Sequence, residues 1–305
     1  MSEKSQELHL QNLNEEVDIR EVFGALWAKR WALVLGGIVG GILAAGYSLS
    51  LPNIYKSQTL LVAKNGASGV AGMASQLGGL AGLAGINIGA EETSKSQIAL
   101  EVLKSREFFR EYLYEDAVIP LMAAYDWDET SREVLLNPDI YDVEKNQWVG
   151  GKPSVQKAYQ VFSAHLSVAE SDRSGLVTLE IQHYSPIVAR RWLVQVTKGI
   201  EDYSRKKDIS ESEKSIAFLE LQSEKNTLIS LNEVFANLIE EQIKSAVLAS
   251  ASEDYVFQVI EPPVEAEKRS SPNRALITLL GALLAGMIST LAVLIRHFKT
   301  AARDA

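Results

Sequence analysis

Two stretches of 21 residues without a single charge, Trp31–Leu51 and Ala275–Ile295, constrain this chain more than any other feature. A helix needs about 20 predominantly apolar residues to span the hydrocarbon core of a bilayer. A helix buried in a water-soluble domain seldom stays uncharged on every side for so long. A secretory signal would carry an apolar core of only about 7–15 residues behind a short basic start. Here the first stretch is longer and follows 30 residues rich in Glu and Asp. Ala44-Ala45-Gly46 would pass as a cleavage site, but the expected reading is an uncleaved span, with a second span near the other end.

Basic residues near the spans indicate orientation. Lys29 and Arg30 precede the first span, with Arg20 further back, and Arg296, Lys299 and Arg303 follow the second. Lys268, Arg269 and Arg274 lie on the opposite flank, but long intervening regions translocate largely regardless of their charge. Both ends are therefore expected in the cytoplasm and the intervening region outside it. The expected division is a cytoplasmic arm over 1–30, spans over 31–51 and 275–295, an external α+β domain over 52–274, and a tail over 296–305.

The net charge of −9 and the absence of a basic patch argue against a nucleic-acid partner. The chain contains no cysteine, so the outer domain must stand on packing alone, without disulfides.

Within the arm, Ile19, Val22, Phe23, Leu26 and Trp27 recur at helical spacing over Asp18–Arg30. That stripe suits a helix lying in the interface, or a plain extension of the first span. Beyond Pro52, Ile54–Ala63 reads as a strand. Gly66–Gly89 holds eight glycines, with Met73, Leu77, Leu80, Leu83 and Ile86 among them. No Lys-Ser or Lys-Thr follows in phosphate-loop register, so the stretch reads as a loop, either plain or mildly apolar and close to a membrane or partner.

Ser94–Tyr114 is expected as one helix, capped by Ser94 or Ser96, with Ile98, Val102, Phe108 or Phe109, and Leu113 on one face. Pro120–Pro153 reads as irregular, with a turn at Gly150-Gly151, and Val155–Phe162 as a short helix. His165–Glu170 and the alternating Gly175–Ser185 read as strands.

From Pro186 to about Ser250 no proline recurs and Gly199 is the one glycine. A single long helix is expected there, roughly 100 Å if unbroken. Leu228, Leu231, Phe235 and Leu238, with Leu221 and Gln242 in register, resemble a coiled-coil seam that another copy of the chain would cover. Asp254–Glu261 returns as a strand able to pair with the first. Pro262, Pro263 and Pro272 then mark the approach to the second span.

Small residues pattern both spans. Gly36 and Gly40, or Gly37 and Gly41, form small-xxx-small faces on the first, and Ala282 and Gly286 do so on the second. Such spacing lets helices approach closely, and the two spans are expected to pack together within one protomer.

No catalytic constellation emerges. His9, His165, His183 and His297 are scattered, no metal-ligand spacing occurs, and Asp126-Trp127-Asp128-Glu129 reads as a solvated acidic loop. No cofactor, metal or enzymatic activity is expected.

The ordered combination resembles a known family. Leu26–Leu33 (LWAKRWAL) resembles the basic-aromatic approach to the first span of polysaccharide co-polymerases, the Wzz chain-length determinants. Ile98–Phe109 (IALEVLKSREFF) resembles their early helix, and Val259–Leu276 (VIEPPVEAEKRSSPNRAL) their proline-rich approach to the second span. Gly281 and Gly286 sit where that span is rich in small residues. The resemblance implies a homo-oligomeric ring in the inner membrane of a Gram-negative bacterium, with its central domain in the periplasm. It implies that the ring sets the length of O-antigen or a related lipid-linked polysaccharide made by a Wzy-type polymerase. No phosphate loop follows the second span, which is similar to the kinase-free type. The alternative is an inner-membrane adaptor of a capsule or exopolysaccharide exporter.

Overall fold

The computed structural model describes residues 27–64, 95–171, 175–226 and 228–304. The arm over 1–26, Ser94 and the Gly66–Gly89 stretch lie outside the described residues. The chain forms two compact units. One is built from helix α1 (Arg30–Ser50) and a C-terminal helix, and the other spans Asn53–Ser271.

The central unit is α+β. Strand β1 (Tyr55–Ala63) is followed by helices α2 (Lys95–Leu103), α3 (Arg106–Tyr112) and α4 (Tyr114–Ala123). Two small hairpins come next, β2 (Ala124–Asp128) with β3 (Glu133–Leu136), and β4 (Tyr141–Asp142) with β5 (Gln147–Trp148). Helix α5 (Val155–His165) leads into strands β6 (Leu166–Glu170) and β7 (Leu176–His183). Helices α6 (Pro186–Lys225) and α7 (Ile229–Ala251) precede strand β8 (Phe257–Glu261).

The main sheet has the order β6-β7-β1-β8 with every pair antiparallel. One face of it is dictated by alternation. Val177, Leu179, Ile181 and His183 of β7 are buried, as are Tyr55, Ser57, Thr59 and Leu61 of β1. The first and last strands of the unit pair, as expected, with a register irregularity between Leu60 and Leu61. The Ser57 and Thr59 hydroxyls donate to the carbonyls of Val264 and Glu261, which satisfies them inside the core. Ile54 bridges Ser271, so the two ends of the unit are tied together.

The core lies between the main sheet, α2–α5 and the first half of α6. Phe108, Phe109, Phe162, Trp192, Leu193 and Ile200 are essentially fully buried. Phe109 stacks on Phe162 at 4.9 Å between ring centroids, and Phe162 meets Trp192 edge-on at 5.9 Å. Gly199 explains how α3 comes so close to α6. A Cβ there would stand 2.9 Å from the Tyr112 ring and 3.2 Å from Phe108.

Several expectations need correction. The helix expected over Ser94–Tyr114 breaks at Ser105, whose hydroxyl accepts from the N–H of Phe108 and caps α3. Ser96 is a buried residue within α2 rather than its cap. The stretch over Pro120–Pro153 is more regular than its composition implies, since it holds the end of α4 and two hairpins. Pro120 sits within α4 itself. The single helix expected over 186–250 is two helices. At Asn226 and Leu228 the backbone becomes extended, and α7 folds back antiparallel on α6.

Candidate functional site: two helix pairs and the root of a hairpin

Among the described residues, Asp126, Asp128, His165 and His183 make hydrogen bonds to backbone groups. Among the described residues no group of three or more His, Asp or Glu side chains could hold a metal. Asp126 accepts from the N–H of Trp127, and Asp128 accepts from Thr130 at 2.8 Å. The Thr130 N–H and the Ser131 hydroxyl hold the Asp128 carboxyl below the usual carboxylate range. Asp128 therefore shapes the β2–β3 turn, whereas Asp126 lies within β2 beside its register shift, so the stretch expected as an acidic loop is mostly strand. His183 is buried in the core, and His165 Nδ1 lies 2.7 Å from the Gln182 carbonyl. Asn146, in the β4–β5 turn, and Arg132 adopt left-handed backbone conformations. Neither accompanies a cluster of reactive groups.

The first helix pair joins α1 to α8 (Arg274–Asp304). Asn273 opens α8 by accepting from the N–H of Leu276. The two helices run antiparallel, Gly36 facing Ser289, Gly40 facing Ala285, and Ala44 facing Gly281. A Cβ on Gly36 would meet the Ser289 hydroxyl at 1.9 Å, one on Gly40 would meet the Ala285 methyl at 2.1 Å, and one on Gly281 would meet Ala44 at 2.3 Å. Those glycines let the two backbones touch. Gly37 and Gly41 lie on the edge of the same seam, where an added Cβ would stand 3.6 and 3.4 Å from Ala282. Gly286 has open space around it and lies off the seam. The spans pack on each other as expected, but the tightest register is Gly36/Gly40 with Gly281. The outward faces of both helices carry exposed leucines, isoleucines and a methionine, such as Leu35, Ile42, Leu43, Leu284, Met287 and Ile288. Water penalises such a surface. Hydrocarbon does not. Both helices are long and apolar enough to cross a membrane.

The second pair is the α6–α7 hairpin. Leu231 and Phe235 are half-buried, whereas Leu228 and Leu238 are 62% and 40% exposed. The expected seam thus splits, two of its members being less exposed within the hairpin and two facing out. Leu238 joins Phe218, Leu219, Lys214, Ser215 and Gln242 around an open groove of about 400 Å³.

The hairpin is fastened at its root by polar residues that no sequence motif singled out. Glu201, Arg205 and Asp208 lie along one side of α6, spaced four and three residues apart. The Glu201 carboxylate accepts from the backbone N–H groups of Tyr255, Val256 and Phe257, at 2.5, 3.0 and 2.8 Å. The Arg205 guanidinium donates to the carbonyls of Ala249, Ser252 and Glu253 and so caps the end of α7. Asp208 accepts from the Tyr255 hydroxyl and from Lys95, the latter at 2.6 Å. Burial, then the Asp208 carboxylate, push the Tyr255 phenol up. Burial opposes the charge on Lys95, but its bonds to Asp208 and Tyr255 outweigh that and raise it. The Glu-x-x-x-Arg-x-x-Asp spacing lies within a densely charged stretch of α6, EDYSRKKDISESEK over 201–214, so it does not stand out.

The proline approach is also held in place. The Pro263 carbonyl accepts from Arg190 Nε at 3.2 Å, and Glu265 pairs with Arg132 at 2.8 Å. Pro262 directly follows β8, and Pro272 precedes the Asn273 cap of α8.

The described chain is thus an α+β body together with two helices long and apolar enough to cross a membrane. Residues 15–115 match the family model "Wzz: Chain length determinant protein". That third of the chain holds α1, β1, α2 and α3, so Leu26–Leu33 and Ile98–Phe109 fall within the matched range, while Val259–Leu276 lies outside it. Among solved structures the chain is similar to a full-length bacterial polysaccharide co-polymerase. The identity is 14% over 94% of this chain and 98% of that one, with a TM-score of 0.37. It is also similar to a fragment of WzzB, a polysaccharide co-polymerase from Salmonella Typhimurium. There the identity is 13% over 72% of this chain and all of that one, with a TM-score of 0.30. No curated protein matches the chain.

Proposed function

We propose that this chain is a non-enzymatic regulator of surface-polysaccharide chain length. The family match over residues 15–115 carries this reading. In it the chain is anchored in the inner membrane by α1 and α8, with both ends cytoplasmic and the α+β body in the periplasm. Lys29 and Arg30 before the first apolar stretch, and Arg296, Lys299 and Arg303 after the second, support that orientation. The protein works as a homo-oligomer beside a Wzy-type polymerase acting on lipid-linked O-antigen or a related glycan. The outward apolar side chains of the hairpin, Phe218, Leu221, Leu228 and Leu238 among them, supply a surface for a neighbouring copy.

The test is a gel of surface polysaccharide from the host with and without the gene. Deletion is expected to turn a clustered length distribution into a random one while polymer still forms. Polymer that vanishes from the surface and accumulates inside would replace this reading with an export role.

A further inference from the structure

At the junction of β7, α4 and α6 a buried imidazole makes two bonds of opposite polarity. His183 is 2% exposed. Its Nδ1 accepts from the backbone N–H of Ser185 at 3.0 Å, so its Nε2 carries the proton and donates to the Pro120 carbonyl at 3.0 Å. Both partners sit where a helix has unmet backbone groups. Ser185 is the N-cap of α6, and its hydroxyl accepts from the N–H of Val188. Pro120 lies in the last turn of α4. One neutral ring therefore joins the start of the hairpin's long helix to the end of α4.

We propose that this junction is an acid-sensitive latch, in which protonation of His183 releases the start of α6 from the end of α4. A doubly protonated ring has donors at both nitrogens. Nδ1–H would then face the Ser185 N–H at 3.0 Å, and attraction becomes repulsion. The ring cannot turn freely, since Trp192 packs edge-on at 4.8 Å between centroids.

The other groups around the ring do not offer to neutralise a charge. From the α5–β6 corner, His165 stands 6.4 Å away. Arg191 of α6 is a nearby cation, and both it and His165 oppose protonation. Tyr184 meets the ring edge-on at 5.7 Å. Tyr55 is the cross-strand partner on β1, and its hydroxyl is already committed to Glu129. Burial above all, with His165 and Arg191 adding to it, depresses the His183 pKa from 6.5 to about 4. The neutral ring's contribution is thus complete above the unfolded value of 6.5 and is lost as pH falls toward 4.

The test uses the full chain in detergent micelles, melted at pH 7 and at pH 4.5, beside His183→Asn and His165→Asn. Asparagine at 183 keeps an acceptor for Ser185 but cannot titrate. Wild type and His165→Asn are expected to melt lower at pH 4.5 than at pH 7 by more than about 5 °C. His183→Asn is expected to lose at least half of that difference. Parallel drops in all three, or a drop removed by His165→Asn instead, would overturn the latch. Should His183→Asn not fold, hydrogen exchange on wild type decides. Segments 117–123 and 183–192 are expected to open on acidification before 99–109. Opening that is uniform, or absent from those two segments, contradicts the proposal.

Discussion

The chain contains two antiparallel helix pairs built on opposite principles. In α1–α8 the contact is backbone against backbone, through Gly36, Gly40 and Gly281, and the large side chains point outward. In α6–α7 bulky side chains such as Leu231 and Phe235 are half-buried, and the joint is fixed by charge at its root. The difference follows from the solvent each pair suits. In hydrocarbon, burying leucine between helices gains nothing over leaving it in lipid, so close van der Waals contact and small residues must hold the pair. In water, apolar burial drives pairing, and polar fastening at one end fixes the register. The apolar residues that the hairpin leaves exposed are the exception, and the proposed function sets a neighbouring copy against them.

The largest expected effects lie where the hairpin's first helix enters the body. Phe109→Ala or Trp192→Ala removes a fully buried ring and is expected to cost about 3–5 kcal/mol in chemical denaturation. If the loss were small, the body would not be the rigid base that the hairpin needs. Next comes the glycine seam. Gly40→Leu is expected to separate α1 from α8 or to cost about 1–3 kcal/mol, whereas Gly286→Leu should be near neutral. The chain has no native cysteine, so Gly41→Cys with Ala282→Cys should cross-link readily in membranes. Gly41→Cys with Gly286→Cys should not. Equal cross-linking of both pairs would dissolve the contrast between a fixed seam and a loose one.

A comparable loss is expected at the hairpin root. Glu201→Ala strips three N–H groups of their acceptor and should cost about 1–3 kcal/mol. Hydrogen exchange should localise the loosening to residues 252–257. The smallest effect on fold stability is expected from the outer face. Leu238→Ser should shift stability by no more than about 0.5 kcal/mol while weakening self-association measured by sedimentation.

Much of the architecture was legible because it rests on strong periodicities. The uncharged 21-residue stretches located α1 and α8, and alternation at Val177, Leu179 and Ile181 located β7 with its buried face. The hairpin turn was not legible. Asn226-Thr227-Leu228 carries neither proline nor glycine, and the modest helix propensity of Asn and Thr is a weak signal inside 65 residues of helical pattern. What breaks the helix there is the pairing of α7 against α6, visible only in three dimensions. The glycine faces were seen, but Gly36/Gly40 and Gly37/Gly41 repeat identically, and spacing alone does not say which meets the neighbouring helix. Glu201, Arg205 and Asp208 were hidden for another reason. Each looks like an ordinary solvated charge until the strand β8 and the end of α7 are brought against it.

The most direct test of the account places the outer face of the hairpin in the host. A strain lacking the gene is complemented with wild type or with Leu238→Asp, and the surface polysaccharide is resolved by length on a gel. Wild type is expected to restore a clustered distribution, and Leu238→Asp, which leaves the body's core untouched and should melt like wild type, is expected to leave it random. A clustered distribution from a folded Leu238→Asp would contradict the claim that this face acts through assembly to set chain length.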